Sequence, residues 1–373
     1  MKAVVVEHDL VTAWGPGVEL CWRGLLTGKS SFSQITRFST KAFTTHIAAQ
    51  VPGLDARAAD SLVMQMLRPL LKPLAARLPR ETLLILATTV GEVDLLERRM
   101  LGGAVAFEES RMDKLLGRIR GELGLAEPGC IISAACASSS SAVGYGAQLV
   151  ASGAKDSVLV VACDAVTEFV FAGFSSLMAL DPDGARPFDR TRKGLTVGEA
   201  AGYVLLMSEE RARREKRRIA GEVAGWGMSC DANHMTGPAR DGGGLVRASR
   251  QALKKAGVEP REVGSISAHG TGTVYNDSME MKAFRQVFGE AVPVYSLKGS
   301  IGHTMGAAGL VEMIMALKSL EAGVIPPCAH LSDVDPEALG WVSAGGAKAP
   351  EMRVVLSTNS GFGGVNAALV LKA

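Results

Sequence analysis

One cysteine and two histidines are the residues of this 373-residue chain best placed to do chemistry. Cys136 lies in Ser133-Ala134-Ala135-Cys136-Ala137-Ser138-Ser139-Ser140, His269 in Ala268-His269-Gly270-Thr271-Gly272-Thr273, and His303 in Lys298-Gly299-Ser300-Ile301-Gly302-His303. Each follows a strand-like run and is surrounded by small residues. A thiol nucleophile with two imidazoles suits carbon–carbon bond formation on thioesters. The serines after Cys136 and the Ala- and Gly-rich stretch beyond predict a helix N-terminus, whose dipole and free amides favour a thiolate with a lowered pKa. The same amides suit an oxyanion. Each residue alone also has a structural reading, as a small cysteine in a tight turn or a histidine satisfied by its loop. The remaining histidines (His8, His46, His234 and His330) lack this setting and are read as structural or exposed.

Lys298 and Glu312 flank His303 in the sequence, and an interior Lys–Glu pair there would fix local charge and orient a histidine. Asp277 and Glu280 are further candidates for that network. Near the C-terminus, Asn359-Ser360-Gly361-Phe362-Gly363-Gly364-Val365-Asn366 follows another strand-like run. A glycine-flanked aromatic can swing, and its backbone N–H can approach a ligand closely.

The elements that must position these groups alternate between strand and helix. Strand-like runs fall at 3–6, 83–87, 130–133, 157–163, 202–207, 265–269, 292–297 and 353–357, several of them continuous enough to be covered on both faces. Amphipathic stretches at 56–74, 112–123 and 244–256 lie between them, which predicts an α/β fold. One unit is used twice. Run 130–133 leads through Cys136 to a small-residue helix at 137–151, and run 292–297 leads through His303 to another at 306–321. Two similar halves are therefore expected, 1–218 and 219–373, with the seam near the charge-rich residues 211–218, themselves read as a solvated helix and connector.

Composition narrows the function classes. Hydrophobic content of 47% with only 5% aromatics predicts an interior of Val, Leu, Ile and Ala. A formal charge of +2 gives no reason to expect nucleic acid or an acidic membrane as partner. The N-terminal apolar run is broken by Glu7, His8 and Asp9, and the longest apolar candidate, 157–174, is interrupted by Asp164 and Glu168. No signal peptide or membrane insertion is expected, and the cytoplasm is the default. The six cysteines are dispersed without a Cys-x-x-Cys pair, so neither disulfides nor a metal site is expected, and all but Cys136 are read as inert thiols.

Taken in order, these islands resemble the β-ketoacyl-acyl-carrier-protein synthases of the condensing-enzyme (thiolase-like) superfamily, in the branch with a Cys-His-His site. The likeness extends through Val11-Thr12-Ala13-Trp14-Gly15, Leu26-Thr27-Gly28-Lys29-Ser30-Ser31, Arg186-Pro187-Phe188-Asp189, Gly198-Glu199-Ala200-Ala201-Gly202 and Gly361-Phe362-Gly363-Gly364. It implies a five-layered αβαβα sandwich of two similar halves, working as a homodimer or with a related subunit. It implies decarboxylative condensation of an acyl thioester with malonyl on an acyl carrier protein, in fatty-acid or specialised polyketide or polyene synthesis. No cofactor is implied beyond the phosphopantetheine that carries the substrates.

By the same resemblance Cys136 is the nucleophile, and its backbone N–H with that of Phe362 forms the oxyanion hole. His269 and His303 support decarboxylation, and Lys298 with Glu312 supports the histidines. Thr271 and Thr273 touch the pantetheine arm, while Phe362, between Gly361 and Gly363, is a gate. Two departures stand out. Between Thr89 and Pro128 the chain is shorter than typical members and carries Phe107-Glu108-Glu109-Ser110-Arg111-Met112-Asp113 where they line the acyl tunnel. Around 55–67 it has Ala58, Ala59 and Asp60 where carrier docking usually uses basic residues, so Arg186, Arg190, Arg192 and Lys193 are expected to supply that surface. A non-elongating partner subunit is the alternative, although such subunits lack the cysteine.

Overall fold

Strands that are apolar on both faces must be covered twice, and helices on either side of the sheet provide that cover. The computed structural model describes residues 1–373. Its main strands are β1 (Ala3–Thr12), β2 (Leu83–Ala87), β3 (Cys130–Ile132), β4 (Ser157–Asp164), β5 (Ala200–Ser208), β6 (Gly221–Cys230), β7 (Ser265–Ser267), β8 (Val294–Tyr295), β9 (Val354–Gly361) and β10 (Val365–Lys372). The helices that position the site are α1 (Leu62–Ala75), α2 (Met112–Leu123), α3 (Ser138–Ala151), α4 (Glu168–Ser176), α5 (Gly243–Ala256), α6 (Val274–Phe288) and α7 (Ala308–Ala322).

The strands run β3-β2-β4-β5-β1, then β6-β10-β9-β7-β8, joined only by a short pairing of Val4 and Val5 with Glu222 and Gly221. In each group the first two pairings from the join are antiparallel and the outer two are parallel.

Alternation along the strands separates the layers. Leu84, Leu86, Leu159, Val161 and Leu205 pack with α1 and α2 on the outer face. Ile85, Ala87, Val158, Val160 and Leu206 face inward, in one cluster with Ala142 and Val143 of α3 and Leu310 and Val311 of α7. Helices α5 and α6 cover the far side through Leu245, Ala248, Met281 and Phe284. The result is the five-layered αβαβα sandwich, with α3 and α7 in the middle.

Small residues let the two central helices touch. Ser139 Oγ accepts the Leu310 N–H at 2.9 Å. A Cβ at Gly309 would fall 2.0 Å from Ser140 Oγ and 2.7 Å from Asn359 Oδ1.

Several expectations change here. Strand β1 extends to Thr12, well past 3–6, because half-buried Glu7, His8 and Asp9 hide its continuation. Strand β6 carries glycines where helix α5 presses on it: a Cβ at Gly225 would lie 2.1 Å from Ala252 O and one at Gly227 2.0 Å from Ala248 O. The helix expected from 56 begins at Leu62, capped by Ser61, so Ala58, Ala59 and Asp60 belong to a turn. Residues Glu209–Arg214 form a short helix whose Arg213 and Arg211 pair with Glu209 and Glu215, both at 2.6 Å, as a solvated helix should. No helix is long and apolar enough to cross a membrane.

Gly309→Ala should force α3 and α7 apart. Overpacking of this kind costs about 1–3 kcal/mol. Urea unfolding should show a lower midpoint, and an unchanged midpoint would contradict the close crossing.

Candidate active site

Cys136 is presented by a strained elbow between β3 and α3. Ala135 adopts φ 47, a left-handed conformation unfavourable for a residue with a Cβ. Ser138 holds it there, its hydroxyl accepting the Ala134 N–H at 2.8 Å and donating to Ala135 O at 2.6 Å. The end of β9 lies flush against the elbow: a Cβ at Gly361 would be 3.0 Å from Cys136 N. Phe362, which follows Gly361, lines the same cavities as Cys136.

The two histidines converge on that sulfur from the other half of the chain. His303 is fixed by its own N–H to Thr196 O at 2.7 Å and by the Gly198 N–H to its carbonyl at 2.9 Å. Its Nδ1 accepts the Met305 N–H at 3.2 Å, which puts the ring proton on Nε2, 3.0 Å from Cys136 Sγ. His269 follows β7, and its backbone N–H and that of Gly270 donate to the Glu280 carboxylate at 2.8 and 2.6 Å. Its Nδ1 faces two donors, Lys298 Nζ at 3.2 Å and Asn359 Nδ2 at 3.3 Å, so its proton is also on Nε2. The rings meet edge to face with centroids 5.1 Å apart. One donor atom from each of Cys136, His269 and His303 lies within 4.8 Å of the others.

A buried charge network sets the electrostatics. The Lys298 ammonium donates to the Glu312 carboxylate and to the His269 carbonyl. Glu312 Oε2 accepts Asn359 Nδ2 at 2.6 Å, and Asn359 Oδ1 accepts the Ser140 hydroxyl. Burial pushes both imidazoles well below their usual range, with Lys298 adding to the effect, so both are neutral at pH 7. Burial also pushes the Cys136 thiol up to about 11, against the pull of Lys298 and the Phe362 N–H. The expected lowering of the thiol pKa is thereby corrected: α3 begins only at Ser138, and loss of solvent outweighs its dipole.

Three protein atoms this close also have the spacing of a metal trio. With both Nε2 atoms protonated and an ammonium against one ring, the arrangement suits a negatively charged oxygen better than a cation.

Asp277 and Glu280 stand outside the Lys298 network. Asp277 accepts the Phe188 and Gly272 amides at 2.9 and 3.2 Å. Glu280, pushed up to about 8 by burial, holds the His269 loop rather than Lys298.

Two cavities meet at Cys136 and Phe362. A channel of about 420 Å³ is lined by His269, His303, Thr271, Thr273 and Gly361, with Lys193 also on its wall. Thr271 and Thr273 bond each other through their hydroxyls at 2.9 Å. A mainly apolar cavity of about 890 Å³ is walled by Val90, Ala135, Phe169, Val170, Phe174 and Met305 among others. Phe362 packs against Phe174 with centroids 5.9 Å apart. Gly363, at φ 81, is on neither wall. Residues 107–113 reach neither cavity, and α4 supplies much of the apolar wall.

The expected docking cations are largely answered from within the chain. Arg192 is buried, pairing with Asp335 at 2.5 Å and facing Asp277 at 3.6 Å, which corrects its assignment to the surface. Arg186 stands 3.8 Å from Asp181, exposed Arg190 3.4 Å from Asp333, and exposed Lys193 3.3 Å from Asp183.

Two polar residues escaped the sequence reading. Asn359 was visible only as the start of a glycine-rich string. Asp164 was visible only as a break in an apolar run, yet it accepts the Thr88 and Thr89 hydroxyls and the Gly306 N–H, each at 2.7 Å.

Residues 96–212 match the family model described as the beta-ketoacyl synthase N-terminal domain, and residues 220–332 match the beta-ketoacyl synthase C-terminal domain. The chain is similar to 3-oxoacyl-(acyl-carrier-protein) synthase 2 of Vibrio cholerae, at 32% identity over 100% of this chain and 99% of that one. The Staphylococcus aureus protein of the same name is 29% identical over 100% and 98%. Among solved structures it is similar to the ishigamide ketosynthase/chain length factor, with 34% identity, a TM-score of 0.89 and coverage of 100% and 99%. A type II PKS acyl-carrier protein in complex with its ketosynthase bound to the hexaketide gives 25% identity, a TM-score of 0.91 and the same coverage.

A thiol held above neutrality gains thiolate as pH rises. Iodoacetamide trapping of Cys136, read by peptide mapping, should climb about tenfold per unit from pH 7 to 9. A plateau below pH 8 would contradict the buried, protonated thiol. Lys298→Met removes a charge that pulls the thiol down and should slow trapping at each pH.

Proposed function

Because the chain belongs to the β-ketoacyl synthase family, we propose that it condenses an acyl thioester with malonyl held on an acyl carrier protein, releasing CO2 and a β-ketoacyl thioester. The reading is carried by one observation: two imidazole Nε2–H donors and one thiol converge in a buried site.

The Cys136 sulfur attacks the acyl carbonyl, and its proton passes through water in the channel to the departing pantetheine sulfur. The oxyanion that forms is held by the N–H groups of Cys136 and Phe362, and the carrier's pantetheine thiol leaves with a proton. Malonyl thioester then enters along the channel, past Thr271 and Thr273. The Nε2–H groups of His269 and His303 donate to its thioester carbonyl. As the C–C bond to the carboxylate breaks, its electron pair becomes an enolate stabilised by those donors. The enolate carbon attacks the acyl-cysteine and the sulfur departs as thiolate, which takes a proton from water.

Lys298 and Glu312, with Asn359, act as positioning residues: their network keeps the His269 proton on Nε2 and the ring neutral. Phe362, between Gly361 and Gly363, serves as the gate between channel and apolar cavity. The latter is the acyl pocket, and its wall from α4 replaces the one expected from 107–113. Arg190 and Lys193 remain as peripheral docking cations, and Arg186 stays half-buried beside them.

The halves 1–218 and 219–373 are read as copies of one unit, a view supported by their matching strand order and sense. An acyl carrier protein is the macromolecular partner, in keeping with the carrier complex of the similar ketosynthase. A second synthase subunit, identical or related, is the other partner, in keeping with the ketosynthase/chain length factor among the similar structures. The pathway is fatty-acid or specialised polyketide or polyene synthesis, and likeness to a type II PKS ketosynthase supports the polyketide reading. A cytoplasmic location agrees with six unbridged cysteines. The alternative of a non-elongating partner leaves the donor-flanked thiol without a role.

Intact mass after mixing with an acyl-carrier thioester should show one acyl adduct, lost in Cys136→Ala with the fold retained by circular dichroism. His269→Ala and His303→Ala should each lower malonyl decarboxylation by about a hundredfold or more, the usual worth of such a donor, and acylation by less. Normal condensation by both variants would overturn the division of labour.

A further inference from the structure

Beside a residue that lines the channel to Cys136 stands a cation that makes no ion pair. Tyr275 lies on the channel wall and remains 63% exposed, at the start of α6. The exposed Arg240 guanidinium stacks over its ring, 5.2 Å from the centroid. Arg186, Arg190, Arg192 and Lys193 all have carboxylates within 4 Å, whereas Arg240 has no ion pair. Neighbouring Asp241 spends Oδ1 on the Gly243 N–H at 3.0 Å.

We propose that Arg240, held on Tyr275, receives the phosphodiester of the phosphopantetheine arm as that arm enters the channel. This rests on the condensing reading above, since the arm is what brings the thioester to Cys136. Stacking limits the guanidinium's freedom before the ligand arrives while leaving its N–H fork free. Phosphate is the chemistry such a fork matches, through paired charge-assisted hydrogen bonds. The two groups have separable tasks. Arg240 supplies charge and donors, and Tyr275 supplies a surface on which to hold them.

Calorimetric binding of free phosphopantetheine and of pantetheine, without any carrier protein, tests the contact independently of catalysis. The wild-type protein should bind the phosphorylated arm about fivefold to tenfold more tightly at low salt. Arg240→Gln should bring that ratio close to one, and Tyr275→Ala should reduce it. Equal binding of the two arms by the wild type, or an undiminished preference in Arg240→Gln, would overturn the assignment. A weakening by Arg240→Gln seen only with intact carrier protein would assign the contact to an acidic side chain instead, and equally overturn it. Acylation of Cys136 by an acyl-pantetheine, followed by mass, reports separately on the condensing reading.

Discussion

A buried ammonium is the constraint around which the site is arranged. Lys298 is almost without solvent, and a charge so placed is tolerated only when it is paired and hydrogen-bonded. Glu312 neutralises it, and the rest of the polar chain satisfies Glu312: Asn359 donates to the carboxylate and Ser140 donates to Asn359. The partners come from α7, β9 and α3, so the charge is tied into the contact between the central helices. Gly309 belongs to the same construction, because any Cβ there would strike both Ser140 and Asn359. An interior Lys–Glu pair need not add stability in itself. Its use lies in aiming a positive charge at the His269 ring, which keeps Nδ1 an acceptor and the proton on Nε2.

The repeated strand order gives this arrangement a simple geometry. Cys136 follows β3 and His303 follows the strand β8 that occupies the matching outer place in the other group; each then leads into a central helix. Asp164 fastens the two sides, accepting from Thr88 and Thr89 after β2 and from Gly306 before α7. Strain at Ala135 has a place in the same scheme. It turns the sulfur out of the sheet edge toward the donors, at a cost of about 1–3 kcal/mol of the kind that persists where surrounding contacts fix the backbone.

Much of this was legible in the residues themselves. Small-residue runs after Cys136 and His303 announced helices that could be buried against one another, and the strand-like runs marked most of the sheet. Strand β6 was hidden because its glycines serve α5 rather than β propensity. Arg192 read as a surface cation because sequence carries no sign that Asp335 and Asp277 fold against it. The thiol was misjudged for a related reason. A helix start is visible in a run of serines, whereas the loss of water around one sulfur depends on every element packed over it. Asn359 and Asp164 were hidden because their partners lie far away in the chain.

The central claim is that two neutral imidazoles, both protonated on Nε2, face one sulfur. Nitrogen-15 NMR of the histidine rings at pH 7 measures this directly, with His269→Gln and His303→Gln used to assign the signals. His269 and His303 should both give the spectrum of the neutral Nε2–H tautomer, unchanged down to pH 6. An imidazolium at either position, or a proton on Nδ1, would contradict the account.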